Sequence, residues 1–298
     1  MAIIGIDCGA TKTEILLSQS VEKNHLLNPL ERHRIPTNKE GGYFEFLNRV
    51  QKEVEAMLKK RGVQLETLGI GIPGVVDPSD HKVKKTSVTC LFNQALPLDL
   101  AKIFGVAVAI ENDAKCFALA EAKLGAGKNY KSMLGLILGT GVAGGFLMDS
   151  KLLRGKHGLA GEFGHWVLNP MGAKCYCGNK GCMETMISGS ALERIYAEYS
   201  GKKLTVPAIY ELYKTQDFAA QQAIGIYLEN FALAISNLIN LYDPDVIVLG
   251  GGVSNLDFLY QLDQEKILRH LFSDFFETPI VKNQLGDSSG IYGACLLE

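Results

Sequence analysis

The sequence predicts an α/β protein built from two related domains. Short apolar runs rich in β-formers alternate with longer stretches of helical period along its 298 residues. Two of these runs lead through a glycine turn into a second run. The first is Ala2 to Ile6, Asp7-Cys8-Gly9-Ala10-Thr11-Lys12, then Ile15 to Leu17. The second is Met133 to Leu138, Gly139-Thr140-Gly141-Val142-Ala143-Gly144-Gly145, then Phe146 to Met148. They superpose with Asp7 opposite Gly139 and Gly9 opposite Gly141, as duplicated α/β domains would, each offering a phosphate loop to a shared cleft.

Composition narrows the class. Hydrophobic residues make up 47% and charged residues 21%, enough for a sizeable core. A formal net charge of -2 provides no general attraction to nucleic acid or to an anionic membrane. No apolar run reaches the roughly 20 residues that span a bilayer, and MAIIGID lacks a basic, signal-like start. A cytoplasmic protein is expected. Seven cysteines, an odd number, argue against a disulfide framework. Cys8, Cys90, Cys116 and Cys295 stand alone and read as small buried hydrophobes.

The elements follow in order. The hairpin at Asp7 to Lys12 offers backbone N–H groups and the Thr11 hydroxyl to phosphate oxygens, and Asp7 would hold Mg²⁺ through water. An ordinary Asx turn suits the same residues. Gly41 to Arg61 reads as an amphipathic helix closed by Gly62, and Leu68 to Ile72 as a buried strand before Pro73-Gly74. Pro97 to Phe104 is a short helix and Val106 to Ile110 a strand. That strand runs into Glu111-Asn112-Asp113-Ala114, and Lys115 to Leu124 is a helix stopped by Gly125. Asn112 and Asp113 therefore sit at the carboxyl end of a strand, where ligands bind in open α/β sheets. Asp113 there suits a general base, and both residues equally suit a helix N-cap.

Gly139, Gly141 and Gly144 match G-x-G-x-x-G, but an extended run follows them instead of a helix, so a phosphate-wrapping hairpin is preferred to a dinucleotide site. Helices are expected at Ala191 to Tyr199, Pro207 to Lys214 and Phe218 to Leu241. The last carries a core stripe of Ala220, Ala223, Tyr227, Phe231, Ala234, Leu238 and Leu241. Asp245 to Leu249 is a strand ending in Gly250-Gly251-Gly252, which suits close approach by a flat ligand such as adenosine. Ile280 and Val281 suggest a last strand, and Gly286 to Leu297 a last helix.

Between these lies GEFGHWVLNPMGAKCYCGNKGCMET, from Gly161. His165, Cys175, Cys177 and Cys182 supply one imidazole and three thiolates at short range, a set that suits tetrahedral Zn²⁺. Four protein ligands close the site, so the metal is structural. Glu162 and Glu184 stay outside the ligand set, and carboxylates accept several sugar hydroxyls well. His165 can ligate through one nitrogen and serve the substrate with the other.

Taken together, DCGATK, ENDA, LGTGVAGG, GEFGH, CYCGNKGC with its following Met-Glu, and DPDVIVLGGG resemble the ROK family of bacterial sugar kinases, within the actin-like ATPase superfamily. The resemblance covers nearly the whole chain in motif order. It implies two actin-like (ribonuclease H-like) α/β domains with a nucleotide and sugar cleft between them and a zinc-binding loop. The domains expected are 1–115, carrying the first phosphate motif and part of the sugar site, and a larger 116–298. The resemblance implies that Asp7, Gly9, Thr11 and Lys12 occupy the first phosphate motif, and Gly139, Thr140 and Gly141 the second. Gly250, Gly251 and Gly252 resemble the adenosine motif. Asp113 resembles the catalytic base, while Asn112, Glu162, His165 and Glu184 resemble the sugar-binding set. His165, Cys175, Cys177 and Cys182 resemble the zinc ligands. Two residues depart from the pattern: Ala10 and Ala143 stand where glycine is usual, which matters only where φ must be positive.

The activity implied is transfer of the ATP γ-phosphoryl group to the 6-hydroxyl of a hexose, with ATP, Mg²⁺ and structural Zn²⁺, in a homodimer. IGIDCGATKTE, CYCGNKGCMETMISG and ETPIVKNQLGDSSG look most like fructokinases (manno-fructokinases), so fructose or mannose is preferred. MLGLILGTGV, GEFGH and NDAKCFALAEA look equally like N-acetylglucosamine kinase, and glucokinase is a further alternative. Outside the enzyme class stand a sugar-binding module and a sugar-responsive repressor. The repressor needs a DNA-binding helix-turn-helix ahead of the first phosphate motif. Here that motif begins at the N-terminus.

Overall fold

Ala2–Cys8 (β1) and Lys12–Val21 (β2) form the hairpin expected around Gly9, with Asp7 opposite Glu14. A computed structural model describes residues 2–21 and 26–297. Leu26–Pro36 (β3) lies antiparallel to β2 as an edge strand. Sequence reading does not anticipate it, because Pro29 and the charges of Glu31, Arg32 and Arg34 mask its alternation. An edge tolerates both, and the register shifts between Leu17 and Ser18, opposite Pro29.

Then follow α1 (Tyr43–Arg61), β4 (Leu65–Ile72), the two-residue β5 (Val75–Val76) and β6 (Val83–Lys84), α2 (Leu96–Phe104), β7 (Ala107–Asn112) and α3 (Asp113–Leu124). Gly62, at φ 63°, closes α1 as expected. The chain continues through β8 (Ser132–Leu138), β9 (Val142–Met148), β10 (Lys151–Leu152), α4 (Glu184–Ile187), α5 (Gly189–Ser200), α6 (Val206–Lys214) and α7 (Phe218–Tyr242). It ends with β11 (Val246–Gly250), α8 (Glu265–Leu268), β12 (Ile280–Lys282) and α9 (Ser289–Cys295).

These elements form two compact units. One comprises Met1–Lys128, Ser150–Ala160 and Leu285–Glu298, the other Asn129–Asp149 and Gly161–Gln284. The division is not a single cut. A boundary after residue 115 falls inside α3, which stays whole because it packs along α9 in the first unit.

In the first unit β1 is antiparallel to β2 and parallel to β4, and β4 is parallel to β7. Ile4 and Ile6 join a core with Phe46, Val50, Leu68 and Leu100. The period of two sends Gly5 and Asp7 to the opposite face, toward α9. That contact needs glycine. A Cβ on Gly69 would lie 1.8 Å from the Ala294 carbonyl oxygen, and one on Gly293 1.8 Å from that of Cys116. Gly69→Ala and Gly293→Ala are each expected to lower unfolding free energy by about 3 kcal/mol. Denaturant melts check this, and a loss below about 0.5 kcal/mol would show that α9 moves away at no cost.

In the second unit β8 stands to β9, β11 and β12 as β1 stands to β2, β4 and β7: antiparallel to the hairpin partner, parallel to the next strand, which is parallel to the last. The duplication read from the two glycine turns thus extends to strand topology. Leu134, Leu136 and Leu138 pack with Tyr227, Phe231, Ile235 and Leu238 of α7. The stripe expected on α7 is buried except for Leu241, which is 58% exposed in the last turn. Asp217 caps the start of α7 by accepting the Ala220 N–H at 2.9 Å, and Asp243-Pro244 ends it. This helix has the length and apolarity to cross a membrane, yet its buried face is core.

Candidate functional site

The first-unit residues gather at the carboxyl ends of β1 and β7. The turn after β1 is closed by the Gly9 N–H donating to the Lys12 carbonyl at 2.9 Å. Thr37 braces it: its hydroxyl donates to the Gly9 carbonyl at 2.6 Å, and its N–H to the Thr11 carbonyl at 3.0 Å. Thr11 and Lys12 are exposed on this turn. Lys12 lies 3.6 Å from buried Glu14, which also pairs with Arg32 and Arg34. Neither Thr37 nor Glu14 belongs to a recognisable motif in the sequence. Thr37 acts from 28 positions away, a separation that leaves no local pattern.

Asn112 is the N-cap of α3. Its Oδ1 accepts the Ala114 and Lys115 N–H groups at 2.9 and 3.4 Å, and its Nδ2 donates to the Gly74 carbonyl at 3.3 Å. The capping alternative thus falls to Asn112, whereas Asp113 is the first helical residue, its Oδ1 accepting the Ala114 N–H at 2.9 Å. Burial, and then the negative charge of Asp113, raise the Asp7 carboxyl to about 7. A Cβ on Gly290 would come within 3.0 Å of Asp7 Oδ2. Two carboxylates that share a partly buried place favour a proton or a cation there.

The second-unit residues gather at the ends of β8 and β11. The Gly139 N–H donates to the Gly141 carbonyl at 3.0 Å, closing this turn in the way Gly9 closes the first. The Gly189 N–H donates to the Gly139 carbonyl at 2.7 Å. Gly251, at φ 81°, lies so near that a Cβ there would be 2.5 Å from the Leu138 carbonyl oxygen. The fold thereby lays the turn at Gly250 to Gly252 against that at Gly139. Neither Ala10 nor Ala143 adopts positive φ, so their methyl groups bring no backbone strain.

Glu184 opens α4 beside the second turn. Its Oε2 accepts the Val142 N–H at 3.4 Å, and a Cβ on Gly141 would lie 2.3 Å from that oxygen. Cys175 Sγ donates to Glu184 Oε1 at 3.8 Å. Glu162 stands just before the 3-10 turn Phe163–His165, and its carbonyl accepts the His165 N–H at 3.1 Å. The donor atoms of His165, Cys175, Cys177 and Cys182 all lie within 4.8 Å of one another. Cys175 Sγ is 3.6 Å from His165 Nδ1, and Cys177 Sγ is 3.6 Å from Cys182 Sγ. Tetrahedral ligands about 2.3 Å from a zinc ion stand about 3.8 Å apart, so these four residues fit Zn²⁺. Nδ1 points to the thiols, and Nε2 meets the hydroxyl of Tyr176 at 2.9 Å. Tyr176, 82% exposed, is a neighbour that the spacing of the cysteines gives no reason to select.

A family model described as the ROK family matches residues 3–298. An N-acetyl-D-glucosamine kinase of Haemophilus influenzae (strain 86-028NP) is 36% identical over 304 residues, covering 98% of either chain. The crystal structure of a ROK hexokinase from Thermus thermophilus superposes with a TM-score of 0.89 at 29% identity, covering 99% of this chain and 97% of that one. A ROK family glucokinase from Streptomyces griseus, in complex with glucose and AMPPNP, superposes with a TM-score of 0.78 at 26% identity, covering 100% of this chain and 99% of that one. The chain belongs to the ROK family. Within that family it is a sugar kinase.

Proposed function

We propose that the protein transfers the γ-phosphoryl group of ATP to the 6-hydroxyl of N-acetylglucosamine. The observation that carries the reaction is Asp113, set at the start of α3 with its charge felt by Asp7. The sugar rests on full-length likeness to a protein named for that substrate. This favours the amino sugar over the fructose or mannose suggested by short segments.

Asp113 accepts the proton of the sugar hydroxyl as its oxygen attacks the γ-phosphorus. The new O–P bond forms while the bond to the bridging oxygen breaks and ADP leaves. Asn112, Glu162, His165 and Glu184 orient the sugar through its hydroxyls. His165 would hold zinc through Nδ1, the atom beside Cys175, and its Nε2 would turn to the sugar once a sugar hydroxyl replaces the exposed Tyr176 hydroxyl that meets it here. Gly9, Thr11 and Lys12 at one turn, and Gly139, Thr140 and Gly141 at the other, hold the phosphates. Gly250 to Gly252 take the adenosine. Mg²⁺, when bound, neutralises charge on the phosphoryl oxygens, and Asp7 is the residue that would hold it through water.

A coupled ADP-release assay over N-acetylglucosamine, N-acetylmannosamine, glucose, mannose and fructose tests the sugar. The kcat/KM for N-acetylglucosamine is expected to exceed that for fructose and mannose at least about a hundredfold, the scale set by polar groups left unpaired with the wrong substrate. A higher value for fructose or mannose would overturn the amino-sugar reading.

A further inference from the structure

Lys115 is a buried charge for which the chemistry above has no use. Its side chain is 1% exposed, in the first turn of α3. Its Nζ lies 3.3 Å from Glu111 Oε1 and donates to the Gly158 carbonyl at 2.5 Å. Glu111 is itself 9% exposed. Its Oε1 accepts the Asn112 N–H at 2.9 Å, and its Oε2 accepts from Arg154 Nε at 3.0 Å. The ion pair therefore spans Asn112 and Asp113, from the strand residue before them to the helix residue after them. Through Gly158 and Arg154 it also pins the segment Ser150–Ala160 to the same junction within the first unit.

Buried ion pairs add little net stability over apolar packing of the same volume, because desolvation offsets their attraction. What such a pair does supply is a fixed geometry with defined partners. The exposed carboxyl end of a strand is a place where backbone position otherwise depends on a few cap hydrogen bonds. We infer that Lys115 is a positioning residue for Asp113: its ammonium, held between Glu111 and the Gly158 carbonyl, fixes the β7–α3 junction from which Asp113 reaches the substrate hydroxyl. This rests on Asp113 acting as the base. Displacement of a reacting group by about 1 Å costs on the order of a hundredfold in rate.

Lys115→Met keeps the length of the side chain and removes its charge. Glu111 keeps Arg154, so no carboxylate is left unpaired. With ATP and the best sugar of the panel, kcat is expected to fall about 10- to 100-fold while the KM for ATP stays within twofold. In an Asp113→Asn background the same substitution is expected to cost nothing further, because the positioned group is already gone. Should the Met variant fail to fold, Lys115→Gln, which also removes the charge and shortens the reach to Gly158, carries the same test. A kcat within twofold of the parent in a folded variant would overturn the inference. So would an equal fold loss repeated on top of Asp113→Asn, the mark of a structural role alone. Turnover kept by Asp113→Asn on its own would overturn the base reading and this role together, and it is recognised in that variant whatever Lys115→Met does.

Discussion

Asp113→Asn is expected to lower kcat about a thousandfold while the protein still folds and binds its sugar. A positioned general base contributes roughly 10²- to 10⁴-fold, and an amide cannot take the hydroxyl proton. The fold should survive. The cap of α3 belongs to Asn112, whose bonds to the Ala114 and Lys115 N–H groups the change leaves intact. The amide oxygen of the variant can still accept the Ala114 N–H that Asp113 Oδ1 accepts now. Loss of the charge also relieves Asp7, whose carboxyl is raised first by burial and next by Asp113, so Asp7 ionises more readily in the variant. The assay is ADP release at saturating ATP, beside calorimetric titration with sugar. A variant keeping more than about a tenth of wild-type kcat would remove Asp113 as the base.

The second large effect is expected from removing the zinc that the four-residue cluster is proposed to hold. Cys182→Ser, or chelation with the released metal quantified, is expected to raise the KM for sugar about 10- to 100-fold and to lower the melting temperature. The ligands hold a loop with little apolar core of its own. Cys175 and Cys182 are buried, but Met171 and Tyr176 are exposed, and the backbone is tied by bonds such as the Gly181 N–H to the Ala173 carbonyl at 2.8 Å. Without the proposed metal, His165 would lose its tie to the cysteines, beside Glu184 at the second turn. The direction with pH follows from the thiols. Burial raises Cys175 and pushes Cys182 up to about 12, while the Asn179 backbone N–H holds Cys177 below the usual thiol range, so the two buried thiols are the ones that must give up protons to a metal. Zinc binds thiolate, so its uptake releases protons and its affinity rises with pH. Normal sugar affinity after demonstrated zinc loss would overturn the view that the metal shapes the sugar-binding loop.

Local signals were the legible ones. The two glycine hairpins, the strand-to-helix passage at Asn112-Asp113 and the CxC-x4-C set each lie within a short stretch whose chemistry shows in the residue types. The preference for fructose or mannose rests on short segments, whereas the full-length likeness is to N-acetylglucosamine kinases. Strand β3 leaves no alternating pattern in the sequence, because an edge strand tolerates proline and charge.

The α/β class, the repeated strand–turn–strand unit, the family and the cluster of one histidine and three cysteines are all legible in residue order. That α9 and the segment Ser150–Ala160 belong with the first unit follows from packing between residues far apart in the chain. Tertiary structure alone seats Thr37 under the first turn, Glu184 against Gly141, and Lys115 between Glu111 and Gly158. The reason is physical. Periodicity and turn chemistry act between residues a few positions apart. Burial of a charge, or approach of a glycine to a carbonyl, joins residues that the chain keeps far apart and leaves no periodic trace.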